Sequence, residues 1–175
     1  IDSATMMNKG FEVIEAFWLF NIDIKDIDIV VHPQSIIHSM IEFIDGSIKA
    51  QLSMPDMRLP IQYAFSYPER YKLDAVKNDF SLINRMDFEP VDYNKFKCIK
   101  LAYESIKLGG TYPVVLNVAN DIAVSLFLKD KISFLDIPNI IMESMENHSS
   151  INVPNIENIK DVTKWTEKFI LKEYS

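Results

Sequence analysis

The 175 residues contain one cysteine, Cys98. No intrachain disulfide can form, so a reducing compartment, or indifference to redox state, is expected. No run of 18 apolar residues occurs, which argues against a transmembrane helix. The amino-terminus has neither a basic segment leading into an apolar one nor an Arg- and Ser-rich transit composition. A glycine-rich phosphate loop is also missing: Gly109-Gly110 follows a helical pattern rather than a strand and lacks the fingerprint. Basic residues are outnumbered, 18 Lys and Arg against 25 Asp and Glu, for a net charge of -7. That argues against a nucleic-acid surface, which needs clustered Lys and Arg. It leaves room for an anionic small substrate, because one Lys in a pocket can serve that. His32 and His38 have no third His or Cys near them in sequence, so a zinc site is not expected.

What is present reads as an ordinary soluble globular chain, with 48% hydrophobic and 25% charged residues. The length suits one domain or two small ones. The chain opens on Ile1 rather than Met, which reads as a fragment or processed piece with a missing upstream part. Its richest stretch follows at once: Asp2-Ser3-Ala4-Thr5-Met6-Met7-Asn8-Lys9-Gly10-Phe11-Glu12. Residues 3–20 read as a helix, capped by the hydroxyl of Ser3 or Thr5. At about 100° per residue, Asn8, Lys9 and Glu12 share one face. Met7, Phe11, Ile14 and Trp18 fill the opposite stripe, and Met6, Val13, Phe17 and Phe20 the remaining sides. A helix apolar on nearly all sides is expected to be buried, so the polar face becomes a notch in a site wall. Gly10 inside it costs about 1 kcal/mol relative to Ala, tolerable where something approaches the backbone closely.

Further along, Ile27–Val31 and Ser35–Ile44 read as strands. Asp45-Gly46 is a hairpin signal, and Ser47–Ser53 alternates as the returning strand. A small antiparallel sheet over about 27–53 is expected. Pro60 can open a helix over Ile61–Tyr67, and residues 69–92 form a connector with one short strand. Helices follow over 95–108, 113–129, 134–147 and 156–174, the first ended by Gly109-Gly110. Strands followed by helices favour an α+β class or two domains. The expected division is 1–92, a small mixed or antiparallel sheet with helices, and 93–175, an all-helical bundle.

Each candidate site residue has an ordinary reading beside the functional one. Lys9 and Glu12 form either a surface i,i+3 ion pair or, with Asn8, a site in which Lys9 and Asn8 suit a phosphate or polarised oxygen and Glu12 a hard cation. Mg²⁺ or Mn²⁺ needs about six oxygens, so partners to Glu12 must come from elsewhere. His32, Gln34, Ser35 and His38 are hydrogen-bonded residues beside a sheet or part of a pocket wall. Met57 is core filling or the lip of a cofactor site. Cys98, Trp165 and Phe169 read as core.

The opening stretch closely resembles the substrate-binding motif of the 1-deoxy-D-xylulose 5-phosphate reductoisomerase family. The resemblance continues through His32-Pro33-Gln34-Ser35-Ile36-Ile37-His38-Ser39-Met40, Asp45-Gly46-Ser47, Ala50-Gln51-Leu52, Pro55-Asp56-Met57-Arg58-Leu59-Pro60-Ile61-Gln62-Tyr63-Ala64, Leu101-Ala102-Tyr103-Glu104 and Leu116-Asn117-Val118-Ala119-Asn120-Asp121, and fades after about residue 145. It implies an NADPH-dependent, divalent-metal-dependent oxidoreductase of the non-mevalonate isoprenoid pathway. Such an enzyme converts 1-deoxy-D-xylulose 5-phosphate to 2-C-methyl-D-erythritol 4-phosphate. It further implies that Ser3, Asn8 and Lys9 bind the phosphorylated sugar, chiefly at its phosphate, and that Glu12 and His38 also bind the substrate, His38 as part of the pocket lining. By the same resemblance Lys9 and Glu12 are catalytic, Glu12 is a ligand of Mg²⁺ or Mn²⁺, and Met57 lies near the nicotinamide. The family's NADPH-binding domain, its Asp-Ser-Glu metal motif and its mobile loop are absent here, so the implied part is the end of the catalytic domain plus the helical domain. The implied assembly is a homodimer built through the sheet near 38–52, and the implied setting is bacterial cytoplasm or a plastid. The abundance of Ile, Asn and Lys tilts that towards an apicoplast. The competing reading is a non-catalytic module for assembly or dimerisation.

Overall fold

The computed structural model describes residues 1–74, 79, 81 and 83–174. The chain divides into two compact units, Ile1–Ile29 with Asp92–Ser175, and Val30–Val91.

In the first unit the opening helix is two helices, α1 (Asp2–Thr5) and α2 (Met7–Phe20). Met6 separates them in the left-handed region, with φ 58°. Thr5 sets the junction: its Oγ1 accepts the Met7 N–H at 3.3 Å and donates to the Asp2 carbonyl at 3.3 Å. The single helix expected over 3–20 is therefore broken at Met6, where the backbone turns left-handed and the Thr5 hydroxyl takes up the Met7 N–H. After a short 3₁₀ turn at Ile24–Asp26 come α4 (Lys97–Leu108), α5 (Tyr112–Leu128), α6 (Asp136–Glu146) and α7 (Ile156–Tyr174). Element α5 packs on α4, α6 and α7, while α2 packs on α4. Leu116, Ala119, Ala123, Ile137 and Ile141 are fully buried between them.

The expected burial of the opening helix is corrected here. Only Met7, Gly10 and Val13 are buried on α2, with Phe11 and Ile14 partly so. Trp18, Leu19 and Phe20 are exposed within this unit. The buried residues are spaced by three, which gives a narrow contact stripe. Gly10 explains the closeness: a Cβ built there would lie 2.8 Å from the Cβ of Ala102. The helix pair α2/α4 joins the first 29 residues to the helices that follow Asp92, because Met7 and Gly10 are packed into the same core as Cys98 and Ala102.

Gly109 and Gly110 both take positive φ, 69° and 54°. Gly110 has the stricter need, since a Cβ there would meet the Ile151 carbonyl oxygen and Ser150 Oγ at 2.5 Å. Thr111 Oγ1 beside it accepts the Ile151 N–H at 3.1 Å and lies 2.7 Å from His148 Nε2. This stitches the α4–α5 turn to the segment before α7.

In the second unit β2 (Ile37–Glu42) and β3 (Ile48–Leu52) form an antiparallel hairpin across Asp45-Gly46. Asp45 Oδ1 accepts from both the backbone N–H and the hydroxyl of Ser47, the turn chemistry expected of Asx residues. The strand expected at 27–31 shrinks to β1 (Val30–Val31) and pairs with β4 (Glu89–Pro90), not with the hairpin. Among the described residues, two separate two-stranded sheets thus replace the single small sheet. The reason lies in Gln34, whose amide exchanges two hydrogen bonds with Asp87 and so draws the segment before β4 to β1. Helix α3 (Arg58–Ser66) begins two residues before Pro60.

Candidate anion and metal site

Four of the predicted residues come together on the first unit. Ser3 lies on α1, and Asn8, Lys9 and Glu12 on the first turns of α2. Asn8 Nδ2 donates to Ser3 Oγ at 3.2 Å, across the Met6 break. Lys9 Nζ donates to both oxygens of Glu12 at 2.7 Å. The pair is half exposed, 46% and 54%. The notch expected in a buried helix is therefore an open face, while Met7 and Gly10 of the same helix are buried. Ser3 accepts from Asn8, so its own hydroxyl proton remains to be given outward. Asn8 has a second amide proton, and Lys9 has a third ammonium proton beyond the two given to Glu12. The face thus offers donors of three kinds within two turns, which fits the oxygens of an anion.

The donor chemistry also bears on a metal. Glu12 is a hard oxygen ligand, suitable in kind for Mg²⁺ or Mn²⁺. It is one carboxylate only: among the described residues no group of three or more His, Cys, Asp or Glu is arranged to hold a metal ion. The residues fit a contribution to such a site, not a whole one.

Two predicted residues lie on the second unit. His38 is the unopposed residue of an irregularity in the hairpin, between the pairs Ile37–Leu52 and Ser39–Gln51. Such bulges re-aim a side chain out of the regular alternation. Its Nδ1 donates to the Ile36 carbonyl at 3.1 Å, which leaves Nε2 free to face outward. Met57 immediately precedes α3 and is 68% exposed, so it is not core filling. The neighbouring Asp56 is bridged to Arg58, whose guanidinium holds the Asp56 carboxyl below its ordinary range. His32 is structural: Nδ1 donates to the Asp87 carbonyl at 2.8 Å, and the ring stacks on Phe88.

Sequence reasoning passed over Asp2 and Asn120. Asn120 on α5 is fully buried, and its Nδ2 donates to Asp2 Oδ1 at 3.2 Å, 118 positions away. An Asn in the apolar run of α5 was the available signal. Cys98 is buried in the same corner, and burial pushes its thiol up to about 11, the state of an inert structural cysteine.

Comparison with known proteins places these residues in context. Residues 52–169 match the family model for the DXP reductoisomerase C-terminal domain, and residues 1–20 match a second model, the 1-deoxy-D-xylulose 5-phosphate reductoisomerase C-terminal domain. The 1-deoxy-D-xylulose 5-phosphate reductoisomerase of Chloroherpeton thalassium is 55% identical over 170 residues, covering 97% of the chain and 44% of that protein. That of Acetivibrio thermocellus is 56% identical over 170 residues, covering 97% and 45%. Among solved structures, the enzyme from Zymomonas mobilis in complex with NADPH superposes with a TM-score of 0.91 at 46% identity, covering 98% of the chain and 46% of that structure. A DOX-P reductoisomerase in complex with NADPH, fosmidomycin and magnesium gives 0.91 at 39% identity, covering 99% and 46%. The chain thus spans a little under half the length of the relatives it matches.

Proposed function

Since the chain belongs to the 1-deoxy-D-xylulose 5-phosphate reductoisomerase family, we propose that it supplies the phosphate grip and one metal carboxylate of an NADPH- and divalent-metal-dependent reductoisomerase. The reaction is the conversion of 1-deoxy-D-xylulose 5-phosphate to 2-C-methyl-D-erythritol 4-phosphate in non-mevalonate isoprenoid biosynthesis. The observation that carries this reading is the open face on which Ser3, Asn8, Lys9 and Glu12 converge.

Ser3 Oγ, Asn8 Nδ2 and Lys9 Nζ hold the substrate phosphate. Hydrogen bonds to a charged group contribute about 1.5–3 kcal/mol each, and binding energy at a non-reacting phosphate is available to orient the reacting end. Glu12 contributes one carboxylate oxygen to Mg²⁺ or Mn²⁺. Such an ion, when bound, supplies Lewis acidity to the substrate oxygens. His38, re-aimed by its bulge, suits a contact with a sugar, and the exposed thioether of Met57 suits a contact with a nicotinamide. The helical part, α4–α7, is the scaffold behind α2. The hairpin carries apolar residues on its surface, Met40, Ile41, Phe43, Ile44 and Ile48, which supports its use in a homodimer. The bacterial origin of the relatives supports a bacterial setting over a plastid one.

The test uses the chain fused to the remaining part of the Zymomonas mobilis relative. Glu12→Gln is expected to raise the half-saturating Mg²⁺ concentration by about tenfold or more, as loss of a ligand or its support does. Direct Mn²⁺ titration by calorimetry should show the same loss. Lys9→Ala is expected to raise KM. Unchanged metal dependence in Glu12→Gln refutes the ligand role, and unchanged kinetics in Lys9→Ala removes that residue from the site.

A further inference from the structure

Element α1 is four residues long and has no side-chain cap at its start. One turn of helix cannot hold its own shape, since nucleation fixes several dihedrals for one hydrogen bond. Yet it carries Ser3, and Ser3 Oγ is held against Asn8. Something outside α1 must fix its orientation. Thr5 anchors its far end through the junction with Met7. Its near end is anchored by Asp2, whose carboxylate accepts from Asn120 Nδ2 at 3.2 Å.

Asn120 is an unusual choice for its place. It is fully buried on α5, in the same helical stretch as the core residues Leu116, Ala119 and Ala123. Its Nδ2 is spent on Asp2, and its Oδ1 is buried with no hydrogen-bond partner. A leucine would fill such a position without an orphaned acceptor. An unsatisfied buried carbonyl oxygen opposes folding, and local violations of this kind concentrate where function requires them. What the amide gains is reach to Asp2. Asp121, next along α5, also senses that residue: its carboxyl is held above the usual range by burial and then by the Asp2 charge.

We propose that Asn120 is a positioning residue for the phosphate grip: it fixes Asp2, which orients α1 so that Ser3 Oγ meets Asn8 and faces the anion beside Lys9. The proposal rests on the reading of Ser3, Asn8 and Lys9 as a phosphate site. It assigns no contact between Asn120 and the ligand.

The experiment uses the 175-residue chain, labelled with ¹⁵N and titrated with inorganic phosphate, following the amide signals of Ser3, Asn8 and Lys9. Asn120→Leu is expected to fold, to melt no earlier than wild type, and to bind phosphate about tenfold more weakly, the size typical of losing a group that orients a ligand-binding residue. Asp2→Ala, which removes the same bond from outside the core, should weaken binding equally. Asp2→Asn keeps an acceptor for Asn120 Nδ2 and should bind within about twofold of wild type. The proposal is overturned if folded Asn120→Leu and Asp2→Ala bind like wild type. It is overturned too if Asp2→Asn is as weak as Asp2→Ala, because Asp2 would then act through its charge. A wild-type chain whose Ser3, Asn8 and Lys9 signals ignore phosphate sinks the phosphate site itself, an outcome distinct from the other two.

Discussion

His148 shows how a single side chain can set the pH limits of a helical core. Its Nε2 lies 2.7 Å from Thr111 Oγ1, and Tyr112 and Trp165 flank its ring. Burial lowers its pKa below the ordinary 6.5. A group with a depressed cationic pKa binds fewer protons when folded than when unfolded, so its contribution is complete above about 6.5 and fades as the pH falls below that value. Wild-type chain is therefore expected to lose melting temperature from about pH 6.5 downwards more steeply than His148→Asn. Parallel melting curves across that range would show that His148 is not the proton acceptor. Nothing in the sequence marked His148 out, since Thr111 and Tyr112 lie at the start of α5 and Trp165 on α7. The residues of the opening stretch were legible because helical spacing alone brings Asn8, Lys9 and Glu12 to one face. Asn120 was not, because its partner is 118 positions away and spacing carries no information at that range.

At the scale of elements, the helices of the second half were read to within a residue or two from apolar period and from Gly109-Gly110. The opening helix was misread in two ways, each with a physical cause. Its break comes from the Thr5 hydroxyl and the left-handed Met6, neither of which disturbs the apolar pattern. Its burial was overestimated because apolar residues on every side say nothing of which side a neighbour covers. Gly10 holds the answer, as a point where α2 and α4 approach closely. Gly10→Val is expected to destabilise the chain by about 1–3 kcal/mol, the cost of overpacking a tight contact, measured by urea unfolding. A stability equal to wild type would mean that the helices separate at little cost. Strand pairing was the least legible part: β1 looks like a neighbour of the hairpin, but the Gln34–Asp87 exchange gives it to β4.

For the molecule as a whole, the hairpin poses the main question. A two-stranded ribbon is marginal alone, and Ile41 and Ile44 stand exposed on this one. In the proposed homodimer a second copy covers them. Ile41→Lys with Ile44→Lys is then expected to shift the sedimenting species towards monomer while the far-UV helical signal stays. An unchanged mass would place the dimer contact elsewhere or remove it. The two compact units have separate tasks in this scheme, the helical one carrying the anion face and the other carrying His38, Met57 and the hairpin.

The clasp of Lys9 on Glu12 has a consequence for how ligands arrive. The ammonium and the carboxylate offset each other at 2.7 Å, so from a distance this pair presents a small dipole rather than an ion. The chain carries a net charge of -7, which repels an anion approaching from solution. The net charge of these 175 residues does not draw a phosphorylated ligand in, so they capture it by contact once it arrives. Discrimination among anions then lies in residence rather than in encounter, and the association rate gains little from low salt.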